Sequence, residues 1–77
     1  MILLGSTGSI GVNALKIAEQ FHLSVDTLVA GRNITLLNDQ IKRYNPKRVV
    51  VMRESDCASV EHPNVRSGEE AILAAIE

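Results

Sequence analysis

Apolar positions along this chain follow two habits, short unbroken runs and stripes spaced three or four residues apart, and their alternation predicts strand, helix, strand, helix, strand. Met1 to Leu4 is an apolar run with no polar relief, the pattern of a strand buried on both faces of a parallel sheet. From Ser9 to about Phe21 a helix is expected, with Gly11, Ala14, Leu15, Ala18 and Phe21 on one face and Lys16, Glu19 and Gln20 on the other. Ser9 or Thr7 stands where a cap is needed. Small residues on the inner face allow a close approach of helix to sheet. His22 and Leu23 turn the chain into Ser24 to Ala30, whose Val25, Thr27 and Val29 give a second strand. Ile34, Leu37 and Ile41, widened by Leu36 and Tyr44, mark a second amphipathic helix, which Asn45 and Pro46 stop. Arg48 to Met52 gives a third buried strand.

The remaining pattern is shorter. Glu54 to Val60 fits a brief helix broken by His62 and Pro63, and Val65 fits an edge strand within Asn64 to Arg66. Ser67 and Glu70 match a capping box, so a last helix is expected from near Gly68 through Ile72, Leu73 and Ile76. It meets the chain end without a glycine or proline stop, the expectation for a piece of a longer protein. The fold class is therefore α/β, a right-handed βαβαβ unit with strands in the order 3-2-1. This is the Rossmann-like half of a doubly wound parallel sheet, truncated at the C-terminus.

Gly5, Gly8 and Gly11 follow the first strand and open the first helix. Gly5 closes the strand into a turn, Gly8 lets backbone N–H groups approach a phosphate, and Gly11 lets the helix lie close. A helix N-terminus carries roughly +0.5 of an elementary charge and unpaired donors, so it binds a pyrophosphate without a lysine. The spacing is GxxGxxG rather than GxGxxG, and a purely structural βα turn is the competing reading. About 20 residues past the glycines, NAD-specific folds place an acid that accepts the ribose 2′-OH. Here that place holds Gly31, Arg32 and Asn33. A guanidinium binds a 2′-phosphate that a carboxylate would repel, which points to NADP, and Asn33 adds a neutral donor. Asp26 stands mid-strand, too early for the acid's part; an ordinary exposed loop arginine is the alternative for Arg32.

Composition narrows the partners. Seventy-seven residues hold one domain and a small core, and eight basic against nine acidic residues leave a net charge of -1. That balance provides no field for nucleic acid or an anionic membrane. The lone Cys57 forms no internal disulfide, no secretory signal is visible, and no apolar run approaches the ~20 residues of a membrane span, so cytoplasm is the expected location. His22 and His62 read as solvated loop histidines without a second ligand at metal spacing. Glu69 and Glu70 are explained by a helix dipole, and Lys42, Arg43, Lys47 and Arg48 by the end of a helix, with Tyr44 the one aromatic among them.

GSTGSIG after the first strand and LVAGRN after the second, together with YNPKRVVV and VRSGEEA, closely resemble the N-terminal NADPH-binding region of the 1-deoxy-D-xylulose 5-phosphate reductoisomerase family. The resemblance covers essentially the whole chain. It implies an enzyme of the methylerythritol phosphate route to isoprenoids, which rearranges 1-deoxy-D-xylulose 5-phosphate and reduces it with NADPH to 2-C-methyl-D-erythritol 4-phosphate. It implies a divalent cation, magnesium or manganese, and a phosphosugar site, both in segments absent here, so no catalytic or metal-ligating residue is assigned. What carries over is Thr7, Gly8, Ser9 and Ile10 around the pyrophosphate and Gly31, Arg32 and Asn33 around the 2′-phosphate, with residues 1–77 as the first part of an NADPH-binding Rossmann domain. The competing readings are a non-catalytic Rossmann module that senses nucleotide and an α/β piece with no ligand. Cutting the sheet here leaves the first strand as an unpaired edge, so a homo-oligomer joined at that strand is expected.

Overall fold

Three apolar runs flanked by helical stripes, plus a fourth short strand, assemble into a four-stranded sheet in which every neighbouring pair is parallel. The computed structural model describes residues 1–76, without the side chains of residues 75 and 76, so Ile76's place on the last apolar stripe lies outside the described residues. In chain order the elements are β1 (Ile2–Leu4), α1 (Ser9–Gln20), β2 (Thr27–Ala30), α2 (Ile34–Tyr44) and β3 (Arg48–Val51). A 3-10 turn (Glu54–Ser59), β4 (Val65–Ser67) and α3 (Glu69–Ile76) follow. The sheet order is β1-β2-β3-β4, which contains the expected 3-2-1 arrangement and adds β4 outside β3.

Register divides the sheet into two faces, because residues opposite one another in a parallel pair point the same way. Leu3, Leu28, Val49 and Val65 align across the strands and belong to one core with Leu15 and Ala18 of α1 and Leu37 and Ile41 of α2. On the other face Val29 and Val50 are covered by Ala71 and Ile72 of α3. Burial on both faces therefore holds for β2 and β3 and fails for β1, where Ile2 is 40% and Leu4 53% exposed. The reason is position: β1 is an edge strand, and α3 reaches only the middle of its face of the sheet.

Other boundaries also differ from the sequence reading. Residues 24–26 are outside β2, although Val25 is buried in the core. Phe21 is 65% exposed, because it is the C-cap residue at which α1 leaves the sheet. At the end of α2, Asn45 adopts a left-handed conformation (φ 49°) and donates its N–H to the Ile41 carbonyl, and Pro46 then prevents continuation. Ser67 and Glu70 form no capping hydrogen bond among the described residues; Gly68, at φ +93°, leads into α3 and its carbonyl accepts from the Ile72 N–H. Asn38 of α2 performs a fastening that the sequence does not announce. Its amide donates to the Ser59 carbonyl at 2.9 Å and accepts from the Glu61 N–H at 2.8 Å, which pins the strand-joining segment to the helix.

Candidate functional site

The turn after β1 is built from backbone. Gly5 takes φ +73°, a conformation costly for other residues, and the N–H groups of Gly5 and Ser6 both donate to the Val29 carbonyl of β2, at 2.7 and 3.0 Å. The Gly8 N–H closes the turn on the Gly5 carbonyl at 3.1 Å. Gly11 is the tightest contact: a Cβ there would collide with the Gly5 carbonyl oxygen and lie 2.8 Å from Ser6 Cα. Its missing side chain thus seats the helix on the turn itself, rather than on the sheet.

The expected serine or threonine cap is absent. Gly8 is the N-cap of α1 and makes no side-chain cap; Ser9 is the first helical residue and Thr7 precedes the cap. Glycine leaves the helix start open. The Val12 N–H reaches the Gly8 carbonyl at 2.9 Å, whereas the N–H groups of Ser9, Ile10 and Gly11 have no partner among the described residues. No acid occupies the first turn to offset the helix dipole, in contrast to α3, which begins with Glu69 and Glu70. Gly8 and Ser9 are exposed, Thr7 is half-buried, and Ile10 is 87% exposed beside these donors. An unprotected apolar residue against uncapped N–H groups suits a ligand with an anionic and an apolar part.

The second segment lies at the same carboxyl edge of the sheet. Leu4 pairs with Val29, so the turn leaves β1 beside the end of β2, from which Gly31, Arg32 and Asn33 continue. This is the edge at which open α/β sheets bind ligands. Arg32 is exposed and has no ion-pair partner among the described residues, while Arg43, Arg48 and Arg53 each hold a carboxylate. Asn33 caps α2: its Oδ1 accepts from the Leu36 N–H at 3.2 Å, which leaves its exposed amide N–H₂ to donate elsewhere.

Asp26 is not mid-strand. It precedes β2 at the opposite, amino edge, where its carboxylate faces Arg48 at 3.5 Å and Lys47 at 4.0 Å. The rest of the basic run is also paired, Lys42 with Glu61 at 3.3 Å and Arg43 with Glu19 at 2.8 Å. Arg43 approaches Glu19 with two nitrogens, at 2.8 and 2.9 Å, joining the outer faces of α2 and α1. That hydrogen bond lowers the Glu19 carboxyl below its ordinary range, and burial raises the Tyr44 hydroxyl next to it. His62 is no solvated loop residue: its Nε2 lies 2.7 Å from the Pro46 carbonyl and its Nδ1 accepts from the Asn64 N–H at 3.0 Å. Those partners assign the proton to Nε2, and the ring ties the entry of β3 to that of β4. His22, in a left-handed turn at φ 56°, is exposed as expected.

Sequence reasoning missed Gln40. It lies on the buried stripe of α2, 5% exposed, and its Nε2 donates to the Ser6 carbonyl in the glycine turn at 2.7 Å. Periodicity places position 40 beside Ile41 and Leu37 on the inner side, and a polar residue there was the available signal.

Parallel strands, a glycine turn seating an uncapped helix, and a basic residue after the second strand together define a Rossmann-like α/β half-fold. Comparison with known proteins makes this particular: residues 1–77 match 1-deoxy-D-xylulose 5-phosphate reductoisomerase, and the chain belongs to that family. A 1-deoxy-D-xylulose 5-phosphate reductoisomerase from Nautilia profundicola is 51% identical over 77 residues, all of this chain and 21% of the relative. One from Helicobacter pylori strain Shi470 is 47% identical over 79 aligned residues, again all of this chain and 22% of the relative. Among solved structures, the Zymomonas mobilis reductoisomerase in complex with NADPH superposes with a TM-score of 0.85 at 32% identity, over 96% of this chain and 22% of that one. The chain therefore spans about a fifth of the length of the curated relatives it matches.

Proposed function

We propose that this chain is the first part of the NADPH-binding Rossmann domain of a 1-deoxy-D-xylulose 5-phosphate reductoisomerase. Thr7, Gly8, Ser9 and Ile10 hold the pyrophosphate, and Gly31, Arg32 and Asn33 hold the adenosine 2′-phosphate. The observation that carries this reading is the open start of α1, with three N–H donors and no acid in the first turn, at the same sheet edge as Arg32, none of these groups having a partner among the described residues. Bound there, NADPH would supply the hydride; this chain's residues bind and orient it. The relatives are named as reductoisomerases, which weighs against a sensing module without catalysis.

The whole protein, in this reading, converts 1-deoxy-D-xylulose 5-phosphate to 2-C-methyl-D-erythritol 4-phosphate on the methylerythritol phosphate route to isoprenoids, in the cytoplasm. The divalent cation, magnesium or manganese, has no cage among the described residues, where no three His, Cys, Asp or Glu side chains converge. It belongs, with the phosphosugar and the catalytic groups, to other parts of such an enzyme. Nucleic acid and membranes are not partners in this reading; no helix among the described residues is long and apolar enough to cross a bilayer.

Calorimetric titration of the 77-residue chain with NADPH and NADH tests the assignment. NADPH should bind more tightly, and Arg32→Ala should remove the preference, since a charge-assisted contact of this kind is worth about tenfold or more. Equal affinities in the unmodified chain, or a preference that survives in Arg32→Ala, would contradict it. The free edge of β1, with Ile2 and Leu4 exposed, also supports pairing of two copies through that strand. Light scattering that returns a monomer at high concentration would count against this association.

A further inference from the structure

We propose that Gln40 is a positioning residue for the cofactor turn, holding the Ser6 peptide so that the Thr7 N–H faces outward as a further donor to the pyrophosphate. This deepens the dinucleotide reading of the turn and rests on it. A glutamine 95% withdrawn from solvent on an otherwise apolar stripe is costly unless bonded, and Gln40 spends its donor on one atom, the Ser6 carbonyl 34 positions earlier in the chain. Ser6 is itself fully buried, and its own N–H is held by the Val29 carbonyl at 3.0 Å. The residue is thus fixed at both ends, by β2 through its N–H and by α2 through its carbonyl.

Planarity of the peptide carries the consequence. In a trans peptide the C=O of Ser6 and the N–H of Thr7 point in opposite directions, so a carbonyl drawn inward to Gln40 turns the Thr7 N–H away from α2. That N–H has no partner among the described residues, and neither do those of Ser9, Ile10 and Gly11. Without the Gln40 bond the peptide is free to rotate, and one donor is lost from the cluster.

Two further features fit this role better than a packing role. The Ser6 hydroxyl and the Gln40 Oε1 are both buried and have no partner among the described residues, an arrangement that an apolar side chain at position 40 would partly relieve. Gln40 also shares its helix with Asn33, seven positions earlier and about 10 Å along the axis. One rigid element thus touches both candidate subsites, Asn33 at the 2′-phosphate segment and Gln40 at the pyrophosphate turn.

The test compares the unmodified 77-residue chain with Gln40→Met, which keeps the shape without the donor, and Gln40→Asn, which keeps the amide but withdraws it by one methylene. Each is titrated with NADPH and with adenosine 2′-monophosphate, which lacks the pyrophosphate, and residue-resolved amide exchange is recorded without ligand. Both variants should bind NADPH about tenfold more weakly, bind adenosine 2′-monophosphate unchanged, and exchange faster only at Ser6, Gly8 and Val12, whose N–H groups are among the bonded ones of the turn. NADPH affinity and turn exchange that match the unmodified chain would overturn the proposal. So would exchange that quickens equally at Leu28 and Val49, the mark of a residue that serves only the core. If the unmodified chain binds neither ligand, the dinucleotide reading fails, and the exchange comparison alone decides whether Gln40 sets the turn.

Discussion

Gly11 shows how much of this site is decided by single atoms. A methyl group there meets the Gly5 carbonyl and the Ser6 backbone, neither of which can rotate aside, because both are bonded to β2. Gly11→Ala should therefore lower stability by about 1–3 kcal/mol, the usual range for overpacking, even though alanine is the better helix former. Thermal unfolding of the two chains measures this, and an unchanged or raised midpoint would show that α1 can slide on the turn. At Gly8 the same substitution meets only ordinary contact, 3.5 Å from the Gly5 oxygen. Its bareness serves access to the helix start, not packing. Arg32 illustrates the opposite kind of residue, since it has no ion-pair partner among the described residues and its proposed importance lies entirely in what it binds.

Among the elements, α1 and α2 form one layer whose seam is apolar inside and ionic outside. Leu15 and Leu37 belong to the same buried core, while Glu19 and Arg43 join at the surface. The Glu19 carboxyl is lowered first by its hydrogen bond to Arg43. A carboxyl lowered on folding contributes stability above its unfolded pKa, and that contribution is lost as the pH falls through the lowered folded value. Glu19→Gln should then leave a smaller fall in melting temperature between neutral and acid pH, an effect that added salt diminishes because the pair is exposed. An identical acid decline in both chains would remove the pair from the account.

At this scale the sequence was most and least informative. The stripes of α2 and the run of β3 were legible because Leu37, Ile41, Val49 and Val51 are all buried where their spacing says. The partial exposure of β1 was not legible, because an apolar run is the same string whether its strand is central or at an edge; only pairing decides. The cap of α1 was misread since Ser9 and Thr7 are good caps in isolation, yet the Gly5 to Gly8 turn closes one residue earlier than the first and one later than the second. Asn38, Gln40 and His62 use their polar groups on distant backbone atoms, contacts that no local pattern encodes. That the two segments proposed to hold the cofactor share one edge was legible for a different reason, their order along the chain, since a glycine turn and a basic loop on consecutive parallel strands must emerge together.

Across the whole molecule the two ends of the sheet differ in character. At the amino edge Lys47 and Arg48 both face the Asp26 carboxylate. At the carboxyl edge the N–H groups of Ser9, Ile10 and Gly11 and the guanidinium of Arg32 have no partners among the described residues. We hold that an anionic dinucleotide occupies the carboxyl edge. Residue-resolved amide spectra recorded as NADPH is added test this most directly. The shifts should gather at Thr7 to Gly11 and Gly31 to Asn33 and leave Asp26, Lys47 and Arg48 still. Shifts gathered at the amino edge, or spread evenly over the chain, would contradict it.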